Sequence, residues 1–267
     1  MTSTSPRLIA TDLDGTIVRS DGTISDRTVA ALARVERAGA MLVMVTGRPP
    51  RWMTEIAEAV GHHGVAICAN GAVVYDLHTD TVLQTRELGP DVIAEVVGRL
   101  RGISPELRFA VEHTTGFVFE SSYTLERWDL EAFGGRPVDG DDLVNRSGTK
   151  LLAFQPDADP DTLAEKAEQA VGDLVTVTHS SGRGLLEMSA RGVTKATALA
   201  ALCGEHGVTS ADVTAFGDMP NDLAMLTWAG TSYAVANAHP LVLAATTHTT
   251  SRNDDDGVAE VLERLFP

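Results

Sequence analysis

Leu8-Ile9-Ala10 runs through Thr11 into Asp12-Leu13-Asp14-Gly15-Thr16, a short apolar run that ends on two carboxylates and a glycine. Such a run bounded by a turn residue reads as a buried strand. Open α/β sheets keep their ligand sites where strands of this kind break into loops. Residues two apart on an extended chain point the same way, so Asp12 and Asp14 are expected to face one ligand if the extension persists through the motif. Two carboxylates about 4 Å apart repel by roughly 4 kcal/mol at an effective dielectric near 20. A hard divalent cation or a raised carboxylate pKa offsets that repulsion. The plain structural alternative is a solvated, Asp-rich turn.

The pattern recurs far down the chain. Val213-Thr214-Ala215-Phe216-Gly217 is followed at once by Asp218-Met219-Pro220-Asn221-Asp222. Pro220 suits the first turn of a helix, with Asp218 at or near its N-cap; capping explains one acid, not two clusters. Between the two, Met41–Val45 leads into Thr46-Gly47-Arg48, and a helix starting near Pro49-Pro50 presents Thr46 and free N–H groups to an anion. Gly192-Val193-Thr194-Lys195 opens an apolar helix over 196–203 and sets Lys195 in its first turn, where the helix dipole disfavours a cation. A neighbouring anion relieves that penalty; an exit to solvent is the other solution.

Around these motifs the chain alternates. A hairpin turn at Ser20–Thr23, a helix over 26–38, a strand over 40–45, a helix over 49–60 and a strand over 65–69 predict a mostly parallel sheet with helices on both faces. Val73–Tyr75 and Val82-Leu83 then flank 76–80 as a hairpin, which interrupts the alternation. A helix from 90 to 100, strands near 107–113 and 117–120, less regular sequence over 121–148, a strand at 150–155, a helix at 160–171 and a strand at 174–179 describe an α+β insert. Parallel alternation resumes with strands near 213–216 and 232–236 and a helix over 258–265. The expected fold is a doubly wound, Rossmann-like α/β core built from 1–84 and 187–267, with an α+β cap over 85–186.

The 267 residues carry 21 basic and 37 acidic side chains, a net charge of −16. That field disfavours nucleic acid and anionic membrane surfaces as partners. It also opposes a phosphorylated substrate, so a site for one needs a local positive centre: a cation, Lys195 and Arg48. Cys68 and Cys203 both fall in apolar patterns and read as small buried hydrophobes. There is no CxxC pair, Met1 to Arg7 lacks the apolar core of a signal peptide, and no apolar run suffices to span a bilayer. A cytoplasmic setting is expected. His62 and His63 are adjacent, share no face, and are expected in a loop after Gly61.

Taken in order, Asp12-Leu13-Asp14-Gly15-Thr16, Thr46-Gly47-Arg48, Lys195, and Gly217-Asp218 with Asn221-Asp222 resemble the four motifs of the haloacid dehalogenase superfamily of phosphatases. Ala69-Asn70-Gly71-Ala72, Leu186-Glu187-Met188 and the run from Ser251 to Ala259 narrow the resemblance to its Cof-type hydrolases. It extends from residue 8 to about 266 and is weakest between 90 and 180. The resemblance implies that Asp12 is a nucleophile forming an aspartyl phosphate and Asp14 a general acid and base. Mg²⁺ is then held by Asp12, the main-chain carbonyl of Asp14, and Asp218. Lys195 holds the nucleophile and the phosphoryl oxygens, Thr46, the Gly47 amide and Asn221 bind the transferring group, and Asp222 orients Lys195 and the waters of the metal. Arg48, Arg183 and Glu187 are candidate substrate contacts, as are the basic cap positions Arg108 and His113. Structural roles are the alternatives for Arg48 and Asn70 in their loops, and a strand-end salt bridge for Glu187.

The function implied is a Mg²⁺-dependent phosphatase of small phosphorylated metabolites, acting as a monomer or homodimer. A phosphomutase or phosphotransferase differs only in the acceptor. A phosphoacceptor signalling domain shares the acids, threonine and lysine, but needs neither a hundred-residue insert nor an acid two residues past the acceptor. A hydrolase needs both, to exclude water and to protonate the leaving group.

Overall fold

β1 (Leu8–Thr11) is buried along its whole length, as a strand covered on both faces must be. The computed structural model describes residues 6–61, 64–123, 130 and 134–267; His62 and His63 lie outside the described residues. β2 (Met41–Val45) and β3 (Val65–Cys68) follow β1 on one side, and β12 (Val213–Gly217), β13 (Thr231–Val235) and β14 (His248–Thr250) on the other, all parallel. β4 (Val73–Asp76) and β5 (Thr81–Thr85) close the eight-stranded sheet as an antiparallel hairpin. The winding thus reverses between β1 and β12, and ligand crevices of doubly wound sheets form at that reversal.

Helices α1 (Asp26–Arg37), α2 (Thr54–Ala59), α6 (Lys195–Glu205), α7 (Leu223–Trp228), α8 (Pro240–Ala245) and α9 (Gly257–Leu265) accompany this sheet. Ser25 caps α1 by accepting from the Thr28 N–H, and Leu32 and Val35 carry its buried stripe into the core with Leu8, Val43 and Val261.

A second sheet of six strands has the order β10-β11-β9-β6-β7-β8, from β6 (Arg108–Glu112), β7 (Phe117–Glu120), β8 (Gly135–Val138), β9 (Lys150–Phe154), β10 (Val175–Thr178) and β11 (Leu185–Ala190). It is antiparallel except between β7 and β8. Alternate residues Phe109, Val111, Leu151, Ala153, Leu186 and Met188 pack with Ile93, Val96 and Leu100 of α3 (Pro90–Ile103) and with Leu163 and Ala167 of α5 (Pro160–Val171). By the same alternation, Glu112, Phe117, Phe119, Lys150 and Glu187 occupy the opposite face. This is the α/β core with a mixed-sheet cap that the pattern predicts.

Three local expectations need correction. The segment 121–148 contains β8 and the short helix α4 (Gly140–Val144); Gly135 and Pro137 hide the strand, which sits at the sheet edge, where proline is tolerated. The helix expected over 49–60 is a 3-10 turn at Pro50–Trp52 followed by α2, with Met53 fully buried between them. The Ser20–Thr23 turn forms, with the Arg19 N–H donating to Thr23 O at 2.8 Å, but no strands flank it. The N–H groups of Ile17 and Val18 are turned inward onto Leu13 O instead. Among the described residues no helix is long and apolar enough to cross a membrane, and both cysteines are buried and unpaired.

Candidate active site

The register sets Thr11 beside Phe216, and the Asp12 N–H donates to Phe216 O at 3.0 Å. Asp12 and Asp218 therefore leave adjacent strand ends together. A third acid joins them: carboxylate oxygens of Asp12, Asp218 and Asp222 lie within 4.8 Å of one another, all buried. Asp218 is not the helix cap its sequence position allowed. Asp222 does that work from the other end, its Oδ2 accepting from the N–H groups of Asp218 (3.0 Å) and Met219 (3.1 Å).

Lys195 enters from the first turn of α6, whose start is fixed by Thr194 and Thr197 in a reciprocal capping box. Its ammonium is fully buried and does not exit to solvent; it donates to Asp12 Oδ1 at 2.5 Å and to Asp222 Oδ1 at 2.6 Å. Burial opposes its charge, but Asp12 and Asp222 overcome that and hold its pKa above the ordinary lysine value.

Three carboxylates against one ammonium leave negative charge uncompensated. Burial first, then Asp222, pushes Asp12 up to about 7 despite Lys195; burial first, then Asp12 and Asp222, pushes Asp218 up to about 9. A hard cation with oxygen ligands relieves this crowding, and the donor set fits one. Asp222 spends both oxygens on N–H donors, whereas Asp12 Oδ2 accepts from no described residue. Among the described residues the Asp218 carboxylate takes only a 3.3 Å bond from the Thr16 hydroxyl, and the buried Asn221 amide oxygen has no partner. Gly15, at φ +80°, keeps the space open: a Cβ there would lie 2.3 Å from Asp218 Oδ2. The Asn237 amide holds the Gly15 carbonyl at 2.8 Å.

Asp14 departs from Asp12. Asp12 is buried, while the Asp14 side chain is 58% exposed and is gripped by Arg48. The extended geometry does not continue past Asp12, because Thr16, Ile17 and Val18 all turn their N–H groups onto Leu13 O. Thr46 is buried at the end of β2, and its hydroxyl oxygen accepts from the Arg48 N–H at 3.0 Å.

Asn70, expected to serve its loop, and Glu187, a candidate substrate contact, are joined. Asn70 donates to Glu187 Oε2 at 3.1 Å and accepts from the Asn221 amide at 3.1 Å, and Glu187 is buried in an ion pair with Lys150. The salt bridge expected of Glu187 is thus present, but it is buried and Glu187 sits within β11, not at a strand end. Arg183 is exposed, and among the described residues it makes no hydrogen bond or ion pair. Among the described residues the Arg108 side chain bonds only the Pro105 and Leu107 carbonyls, and His113 offers its carbonyl to Arg51 at 3.4 Å. Lys150, and Arg51 with its cap partner Glu112 at 2.5 Å, were not singled out in the sequence. For Lys150 and Glu112 the available signal was a charge in an apolar strand; Arg51, in the 3-10 turn at Pro50–Trp52, carried no such signal.

A family model described as haloacid dehalogenase-like hydrolase matches residues 9–262. A 5-amino-6-(5-phospho-D-ribitylamino)uracil phosphatase of Bacillus subtilis is 29% identical over 258 residues, covering 96% of this chain and 94% of the relative. A pyridoxal phosphate phosphatase of Escherichia coli is 27% identical over 265 residues, covering 96% and 97%. A solved structure from Streptococcus mutans superposes with a TM-score of 0.86 at 23% identity, covering 97% of this chain and 98% of that one.

Proposed function

Because the chain belongs to the haloacid dehalogenase-like hydrolases, in their Cof-type branch, we infer from its site a phosphatase that passes the phosphoryl group through Asp12 to water. Its substrates are small phosphorylated metabolites. The observation that carries the mechanism is the Lys195 bridge between Asp12 and Asp222 at the reversal of the sheet, with Asp218 beside it.

Lys195 holds Asp12 Oδ1, which leaves Oδ2 to attack phosphorus; a carboxylate nucleophile splits one hard displacement into two easier ones. Thr46 accepts from the Arg48 N–H, so its own proton is available to a phosphoryl oxygen. The Gly47 N–H and the Asn221 side chain complete the grip on the group. Asp14 gives a proton to the departing oxygen, then takes one from the water that attacks phosphorus of the aspartyl phosphate. Asp12, Asp218 and the Asp14 carbonyl would hold Mg²⁺, and Asp222 orients Lys195 and the Asp218 backbone. When bound, the ion lets two anions approach and takes up charge in the transition state.

We take the core as 1–84 with 187–267 and the cap as 85–186, the last cap strand running on to Ala190. The buried unpaired cysteines support a reducing, cytoplasmic setting. We also take Arg48 and Glu187 to act on the loops around the phosphoryl group, and Arg183 to be free for a substrate's distal part.

The test is phosphate release over sugar phosphates, flavin and pyridoxal phosphates and nucleotides, with and without Mg²⁺. Mg²⁺-dependent release is expected. A phosphorylated product with no free phosphate would identify a mutase.

A further inference from the structure

Lys150 on β9 and Glu187 on β11 are buried charges on the face of the cap sheet turned away from the cap's own apolar core, with side chains 5% and 6% exposed and an ion pair of 2.6 Å. Glu187 stands opposite Leu152 in the register, hence diagonal to Lys150 on the same face. A buried ion pair adds little net stability, because desolvation offsets the attraction. Stability alone does not account for this one.

Both side chains reach out of the cap to the core. Lys150 Nζ donates to the Gly47 carbonyl at 2.9 Å, and Glu187 Oε2 accepts from Asn70. The Gly47 carbonyl and the Arg48 N–H belong to one planar peptide unit. Lys150 takes the carbonyl end; the N–H end goes to Thr46 Oγ1 at 3.0 Å. Fixing that plane therefore fixes which lone pair of Thr46 is used and where its proton can go. Among the described residues the Gly47 N–H has no acceptor. A Cβ at position 47 would lie 3.2 Å from Asn70 Oδ1 and 3.5 Å from Glu187 Oε1, so glycine admits the cap pair to the loop.

We propose that Lys150 and Glu187 are positioning residues through which the cap sets the phosphate-binding loop: with the cap shut, the ammonium pins the 47–48 peptide and aims the Thr46 hydroxyl and the Gly47 N–H at the transferring group. This rests on the assignment of Thr46 and Gly47 to that group. The cap then contributes to the phosphoryl site itself, independently of which leaving group it covers.

The experiment is product inhibition by inorganic phosphate at fixed Mg²⁺, using the full chain and Thr46→Val, Lys150→Met and their combination. The paired variant Lys150→Met/Glu187→Gln leaves no lone buried charge, and it serves if Lys150→Met alone does not fold. Lys150→Met, or the paired variant, is expected to raise the inhibition constant about tenfold, and to lower kcat/KM by a similar factor for every substrate. Its combination with Thr46→Val is expected to fall well short of the product of the single losses. An unchanged constant in the Lys150 variants while Thr46→Val weakens phosphate overturns the proposal alone. So do losses that multiply fully or depend on the leaving group. An unchanged constant in Thr46→Val overturns the loop assignment and the proposal with it.

Discussion

Arg48 grips both carboxylate oxygens of Asp14, from Nε at 2.8 Å and from Nη2 at 2.6 Å, across 34 residues of chain. The proposed acid and base is therefore steered by the loop that also carries Thr46.

A lysine holds a carboxylate at one point where arginine holds it at two. Arg48→Lys is expected to lower kcat about tenfold by loosening Asp14. The Asp14 side chain is 58% exposed, and pairs this open to water contribute at most about 1 kcal/mol. The unfolding temperature should hardly move. Steady-state kinetics beside thermal unfolding check both parts, and an unchanged kcat would leave Arg48 a structural residue.

Gly15→Ala puts a Cβ 2.3 Å from Asp218 Oδ2 at a backbone φ of +80°. Strain in that region costs about 1–3 kcal/mol, and Asp218 is too buried to swing clear. The strain lowers stability with or without the ion, whereas displacement of the Asp218 carboxylate is expected to weaken Mg²⁺ binding about tenfold, equivalent to about 1.4 kcal/mol. Mg²⁺ titration followed by activity reads this directly.

Lys195→Met strands Asp12 and Asp222 without their shared partner. Breaking a buried pair from one side costs about 3–5 kcal/mol. Denaturant unfolding should show a loss of that order together with loss of turnover; a stable, active variant would contradict the role given to the ammonium.

Metal binding should depend on pH with a defined sign. Asp12 and Asp218 rise from 3.8 to about 7 and about 9, chiefly through burial. Between those values the folded, metal-free chain keeps protons that the unfolded chain has released, so its stability falls as pH rises. A cation takes the place of those protons. Added Mg²⁺ is expected to raise the unfolding temperature little near about pH 5 and most near about pH 9, with the difference diminished in Asp218→Asn. A shift of equal size at both pH values would contradict the site.

The core motifs were legible because each stands where an apolar run breaks: Asp12 after β1, Thr46 after β2, Asp218 after β12, Lys195 at the start of α6. Strand periodicity and helix-start chemistry locate such points from neighbours alone. The partnership of Asp14 with Arg48 was not legible, since it depends on the chain folding inward at Leu13. Glu187 was legible as a candidate for a salt bridge, but its partner Lys150, at the start of β9, was not, and only the stacking of the cap on the core brings the pair to Gly47 and Asn70. β8 escaped because Pro137 and Gly135 speak against a strand until its edge position is known.

If Asp12 carries the phosphoryl group, acid-quenched single turnover with a radiolabelled phosphomonoester, followed by peptide mapping, will show a transient, acid-stable and base-labile label on Asp12, absent from Asp12→Asn. Label on a peptide lacking Asp12, or complete turnover with no labelled protein at any time, would rule out Asp12 as the nucleophile.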